Sequence, residues 1–142
     1  MTAAADHASD QFTTKLSPRS VPDTVDRLTT LIAARSLKLF AVIDQQAAAL
    51  EAGLELRQTT LVMFGSPAAG TPVMAVAPLA ALDLPLKLVV WADGEQTKVS
   101  YLAPAALAAR HHLAPELSRT LAGIDAITDA LLVALTPDPN ET

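Results

Sequence analysis

Cysteine is absent from the 142 residues. That excludes disulfides, thiolate metal sites, iron–sulfur clusters and cysteine nucleophiles together. Aromatic residues make up 4%, with one Trp, one Tyr and three Phe, too few for a platform on which single-stranded nucleic acid stacks its bases. Basic residues are outnumbered, ten Lys and Arg against fifteen Asp and Glu, for a formal charge of −5. Phosphate backbones need a clustered basic surface, so no nucleic-acid partner is expected. A long apolar run is also missing. Gln58 to Leu82 carries no charge, but Pro67, Pro72 and Pro78, with Gly65 and Gly70, cut it into pieces shorter than the ~20 residues that span a bilayer. No membrane association is expected. Met1 to Asp10 has neither the basic start nor the apolar stretch of a secretory signal, so a cytoplasmic location is expected.

What is present suits one globular domain. A chain of this length buries roughly 68–70% of its unfolded surface in a single core. Hydrophobic residues reach 51% and charged residues only 18%, below the roughly 25% typical of globular domains. Residues 1–9 read as a disordered lead-in, 10–135 as the domain, and 136–142 as a loose tail.

Gln11 to Leu16 reads as a weak edge strand. Ser20-Val21-Pro22-Asp23 has the cap, early proline and acid of a helix start. Val25, Leu28 and Ile32 follow at helical spacing, so the helix should run to about Arg35. Leu37 to Ile43 is a second strand, and Asp44 caps a short helix that stops at Gly53. Thr59 to Phe64 is a third strand. A loop over Gly65 to Gly70 then leads to a short helix with Thr71 as cap. Leu86 to Ala92 and Lys98 to Leu102 are strands joined through Asp93-Gly94, a hairpin signal. A short helix starts at Pro104, and the last and longest starts at Pro115 or Glu116. The order favours an α+β fold: a mostly antiparallel sheet of about five strands packed against helices.

Several runs appear together in order: Leu61-Val62-Met63-Phe64-Gly65-Ser66-Pro67, Gly70-Thr71-Pro72-Val73-Met74, Leu82 to Lys87, the strand ending at Trp91, Val99-Ser100-Tyr101 and Leu107 to Arg110. With Phe40 to Asp44 upstream, they resemble the domain-of-unknown-function 302 family of small bacterial and archaeal proteins. The likeness covers most of Ser20 to Leu135. It departs at Ser36-Leu37, where the family more often turns with a glycine. The resemblance implies a compact, dimeric α+β domain with no established activity.

Three constellations could carry chemistry. Phe64, Gly65, Gly70 and Thr71 belong to a strand–glycine–helix stretch of the kind whose backbone N–H groups hold anions. The lysine of a nucleotide-binding loop is missing, and Pro67 and Pro72 each remove a donor; a tight turn and a capped helix explain the same residues. His111 and His112 are adjacent, about 100° apart on a helix, so they do not form the i, i+4 pair that metals favour, and no metal or other cofactor is expected. Lys87, flanked by Leu86 and Leu88, would join Tyr101, Asp44 and Arg110 in a polar cluster if their elements converge, giving an acid, base or carboxylate binder. The plain alternatives are an exposed strand lysine, a half-buried tyrosine and a helix-capping aspartate.

The reading is therefore a homodimer that binds a small molecule, an anion among the candidates, without catalysis. The alternative is a small hydrolase or isomerase using the Lys/Tyr/Asp cluster. Strand parity motivates the dimer: Leu37–Ile43, Thr59–Phe64 and Leu86–Ala92 are apolar on both faces, so both need cover, and Phe40, Phe64 and Trp91 are expected on the less protected one.

Overall fold

The computed structural model describes residues 11–134; the expected lead-in over 1–9 and tail over 136–142 lie outside the described residues. The elements run β1 (Phe12–Ser17), α1 (Val21–Ala34), β2 (Lys38–Asp44), α2 (Gln45–Glu51), β3 (Thr59–Gly65), α3 (Pro67–Val76), a 3₁₀ turn (Pro78–Leu82), β4 (Leu86–Asp93), β5 (Gln96–Leu102), α4 (Pro104–Arg110), α5 (Pro115–Ser118), a second 3₁₀ turn (Arg119–Leu121) and α6 (Gly123–Leu131). The five strands form one sheet in the order β1-β5-β4-β3-β2, and every pairing is antiparallel. The fold is the expected α+β arrangement.

Local chemistry sets most of the boundaries. Ser20 accepts a hydrogen bond from the Asp23 N–H at the start of α1, and Asp44 accepts one from the Ala47 N–H at the start of α2. Each satisfies a donor that a helix start would leave unpaired. Asp93 faces Gln96 across the hairpin, with Gly94 at φ 60, a left-handed conformation that costs glycine little.

Two expectations fail. Gly65 to Gly70 is not a loop leading to a Thr71 cap: α3 begins at Pro67, Ser66 is its cap, and Thr71-Pro72 lies inside it. Ser66-Pro67 carries the same cap-then-proline signature as Thr71-Pro72, and the earlier one nucleates. The last helix is also not continuous, because Gly123 is a poor helix former and the Ser118 and Thr120 hydroxyls bond the carbonyls of Pro115 and Leu117, competing with the helical pattern.

α1 and α6 pack on the same sheet face. Leu28 and Ile32 of α1 and Ile124, Ile127 and Leu131 of α6 meet Val62, Phe64, Leu88, Val90, Val99 and Tyr101 of the strands. A fully buried side chain of this kind contributes about 1.5–3 kcal/mol. A satellite core of Val73, Ala80, Leu107 and Leu121 closes one end of the sheet. The opposite face carries Leu61 and Met63 of β3 and Val89 and Trp91 of β4, all partly accessible, with exposed Ile43 beside Leu61. Phe64 is therefore not on Trp91's face. Their strands pair with Thr59 opposite Trp91 and Phe64 opposite Leu86, which puts Phe64 under the helices and Trp91 on the open side.

Candidate functional site

A cavity of about 740 Å³ opens on the helix-covered side. It lies between the α1–β2 turn, the β3–α3 junction, the Leu84–Leu86 segment and the chain entering α6. Phe40, Phe64, Met74, Leu84, Leu86, Ile124 and Ile127 are among its apolar lining residues. Its polar side chains are Ser66, Thr71 and Thr120, with two cations, Arg35 and Lys38. No carboxylate is among the lining residues.

The cations are placed by the way α1 ends. The Leu37 N–H bonds the Ile32 carbonyl at 3.0 Å and the Ser36 N–H bonds that of Ala33 at 3.1 Å, the paired closure of a Schellman motif. Ser36 takes the left-handed position at φ 57, where glycine is the usual residue. The reversal turns Leu37 onto the core and leaves Arg35 and Lys38 exposed beside the cavity. A register shift between Leu39 and Ala41 marks a β-bulge in β2. Lys38 and Phe40, two positions apart, both line the cavity, with Nζ 4.8 Å from the ring centroid.

The eight candidates from the sequence divide into two groups. Phe64, Gly65, Gly70 and Thr71 all line the cavity. They do not form an anion loop: the Ala69 N–H is taken by the Ser66 side chain and the Gly70 N–H by the Ser66 carbonyl. A Cβ on Gly65 or Gly70 would meet only ordinary contacts at 3.8–3.9 Å, so neither position demands glycine for space. The other four candidates are scattered. Asp44 caps α2. Lys87 lies on the open sheet face and donates to the Leu82 carbonyl at 3.2 Å. Tyr101 points the other way, into the core beneath α6. Arg110 holds Asp83 at the far end of α4. The proposed Lys87–Tyr101–Asp44–Arg110 cluster does not assemble.

Two polar groupings do. Tyr101 donates to Asp125 Oδ1 at 2.5 Å, and Lys15 Nζ donates to Thr128 Oγ1 at 2.7 Å and Asp129 Oδ1 at 2.9 Å. Nζ also lies 5.4 Å from the Tyr101 ring centroid. Burial and the bond to Asp125 push the phenol above its ordinary range. Burial pulls the Lys15 ammonium down, but its bonds to Asp129 and Tyr101 outweigh that and hold it high. Neither Lys15, Tyr101 nor Asp125 lines the cavity; the group ties β1 and β5 to α6. The second grouping is Asp83, bonded by Arg110 at 3.0 Å and His111 at 2.6 Å. Burial raises this carboxyl, and the two bonds overcome it, leaving the pKa below the usual value.

Sequence reasoning passed over Arg35, Lys38 and Phe40. A usable signal was present: between Asp26 and Asp44 the chain has no acid but carries Arg27, Arg35 and Lys38, an acid-free stretch in an acidic protein.

A family model described as "Domain of unknown function DUF302" matches residues 12–131. The crystal structure of an uncharacterized conserved DUF302 protein from Bacillus stearothermophilus superposes with a TM-score of 0.73 and 21% identity, covering 86% of this chain and 95% of that one. At that identity the likeness shows the fold. Two curated relatives are the fluoride-specific ion channels FluC 1 of Brucella suis biovar 1 (strain 1330) and FluC 1 of Brucella abortus biovar 1 (strain 9-941). Each is 37% identical over 98 residues, 68% of this chain, and the match spans 39% of the first and 36% of the second. The chain thus corresponds to little more than a third of these relatives.

Proposed function

The chain belongs to the DUF302 family, and from that premise we propose that it is a non-catalytic, homodimeric cytoplasmic domain that takes a small molecule into the cavity beside α1 and α6. The cavity carries this reading: its 740 Å³ and apolar wall with a few polar groups fit the ~300–1,000 Å³ of small-molecule sites. Binding is favoured over turnover because the lining offers three hydroxyls and two cations, with no carboxylate or imidazole to serve as a base. A second copy is proposed to cover the open sheet face, where Ile43, Leu61, Met63, Val89 and Trp91 gather on neighbouring strands. Trp and Met are enriched in interface cores, and a two-fold contact sets one such patch against its own copy.

The similarity to fluoride channels raises fluoride as a ligand and a channel as an associate. Among the described residues no helix is long and apolar enough to cross a membrane, which supports a part outside the bilayer for the shared stretch. Apolar walls suit a bare halide poorly, since it would surrender its hydration without replacement.

Native mass spectrometry of freshly purified protein tests both halves. The expected species is twice the 14.8 kDa chain plus a retained small molecule. Only monomer at micromolar concentration in sedimentation equilibrium would refute the dimer, whereas Trp91→Glu should convert a dimer into a soluble monomer. If neither a library of small organic ligands nor sodium fluoride produces a thermal shift in a protein purified free of ligand, the cavity reading fails.

A further inference from the structure

Resting on the reading of the cavity as a ligand site, we infer that its occupant is a single-chain amphiphilic carboxylate, with the tail in the apolar interior and the head at Arg35 and Lys38. Apart from the hydroxyls of Ser66, Thr71 and Thr120, the lining from Phe40 and Phe64 across to Ile124 and Ile127 is apolar, a surface that an aliphatic chain removes from water. Both cations stand at one side of the space, on the turn between α1 and β2, and neither forms an ion pair among the described residues. Lys38 is held over the Phe40 ring, so its ammonium is stationed where apolar wall and solvent meet. No acid lines the space to repel an anionic head. Against a chain whose formal charge is −5, this local sign selects anionic over cationic amphiphiles.

The test is calorimetric titration of the full chain with hexanoate, octanoate and decanoate below their micellar concentrations, beside decanol, decyltrimethylammonium and phosphatidylglycerol vesicles. Affinity for the acids is expected to rise about fourfold for each added methylene. Decanoate should bind about tenfold more tightly than decanol, a margin that shrinks with added salt, and decyltrimethylammonium should bind weakest. The Arg35→Ala/Lys38→Ala double variant, both positions being exposed, should retain the methylene increment and lose the preference for acid over alcohol. Ala126→Trp, on an exposed lining position of α6, should abolish binding of acid and alcohol alike while the protein stays folded by circular dichroism. Equal affinity for decanol and decanoate, or an acid preference that survives the double variant, would overturn the carboxylate assignment and leave the cavity as a ligand site. Failure of every amphiphile to bind would overturn the inference, while the cavity reading itself falls only if the wider ligand library also gives no thermal shift. Binding to vesicles without binding to free decanoate would replace the small ligand by a membrane surface and likewise refute the inference.

Discussion

Tyr101→Phe removes the hydrogen bonds of one hydroxyl and leaves the packing in place. Tyr101 is 3% exposed and its ring belongs to the core, so the phenyl ring keeps its burial and its contact with the Lys15 ammonium. What disappears is the bond to Asp125, with the longer 3.3 Å contact to the Thr128 hydroxyl. A hydrogen bond to a charged group contributes about 1.5–3 kcal/mol. Asp125 is exposed and recovers water when the phenol goes, so the expected loss sits at the low end, about 1.5 kcal/mol. For a domain of this size that lowers Tm by about 5 °C. Urea unfolding at neutral pH should show a lower midpoint with an unchanged slope, and the cycle with Asp125→Ala should recover a coupling of about 1 kcal/mol. The alkaline limb carries a second signature. The phenol's folded pKa lies above its unfolded value of 10.0, so the unfolded chain releases that proton first. The stabilisation is complete below pH 10 and declines as pH rises through the folded value. The gap between wild type and Tyr101→Phe should therefore narrow above pH 10. A loss under 0.5 kcal/mol with no coupling to Asp125 would refute the tie between β5 and α6.

Ser36→Gly should stabilise by about 0.5 kcal/mol in urea unfolding, because relief of the left-handed conformation exceeds the flexibility that glycine adds to the unfolded chain. Asp83→Asn should cost about 2 kcal/mol at pH 7 by removing the charge that Arg110 and His111 hold. Since the Asp83 pKa is lowered from 3.8, that stabilisation is present above about pH 4 and is lost as pH falls through the folded value; thermal melts of the two proteins should converge there.

Features that depend on a few neighbouring residues were legible from the chain. Ser20, Asp44 and the Asp93-Gly94 turn announce their structures because a cap or hairpin is decided within four or five positions. Pro72 misled because Pro67 offers an equivalent start five residues earlier, and nothing local ranks the two. The faces needed pairing information. With Val89 opposite Ser100, Tyr101 lies level with Leu88, and Lys87 looks the other way. Each strand's alternation was readable, but its phase relative to the neighbouring strand was set by the two-residue hairpin loop. A third of the cavity lining, between Phe64 and Thr71, was identified through an anion-loop argument that the structure does not support. Arg35 and Lys38 entered through a helix exit and a bulge, which leave little trace in hydrophobic periodicity.

The sheet order also divides the molecule by history. β2, β3, β4 and β5 are neighbours both in the sheet and along the chain, so each pairing closes a connection of 20 residues or fewer. β1 meets β5 across 86 positions between Thr14 and Ser100, a far longer closure with a higher entropic toll. The meander can assemble while β1 is still free, making β1 the latecomer in folding and the earliest element to detach in partial unfolding. None of the cavity lining comes from β1. An excursion that peels β1 away, breaking the Lys15 bonds to α6, removes none of the residues that line the cavity. On the reading proposed above, lending that edge to another chain, or losing it to a protease, leaves the ligand site intact.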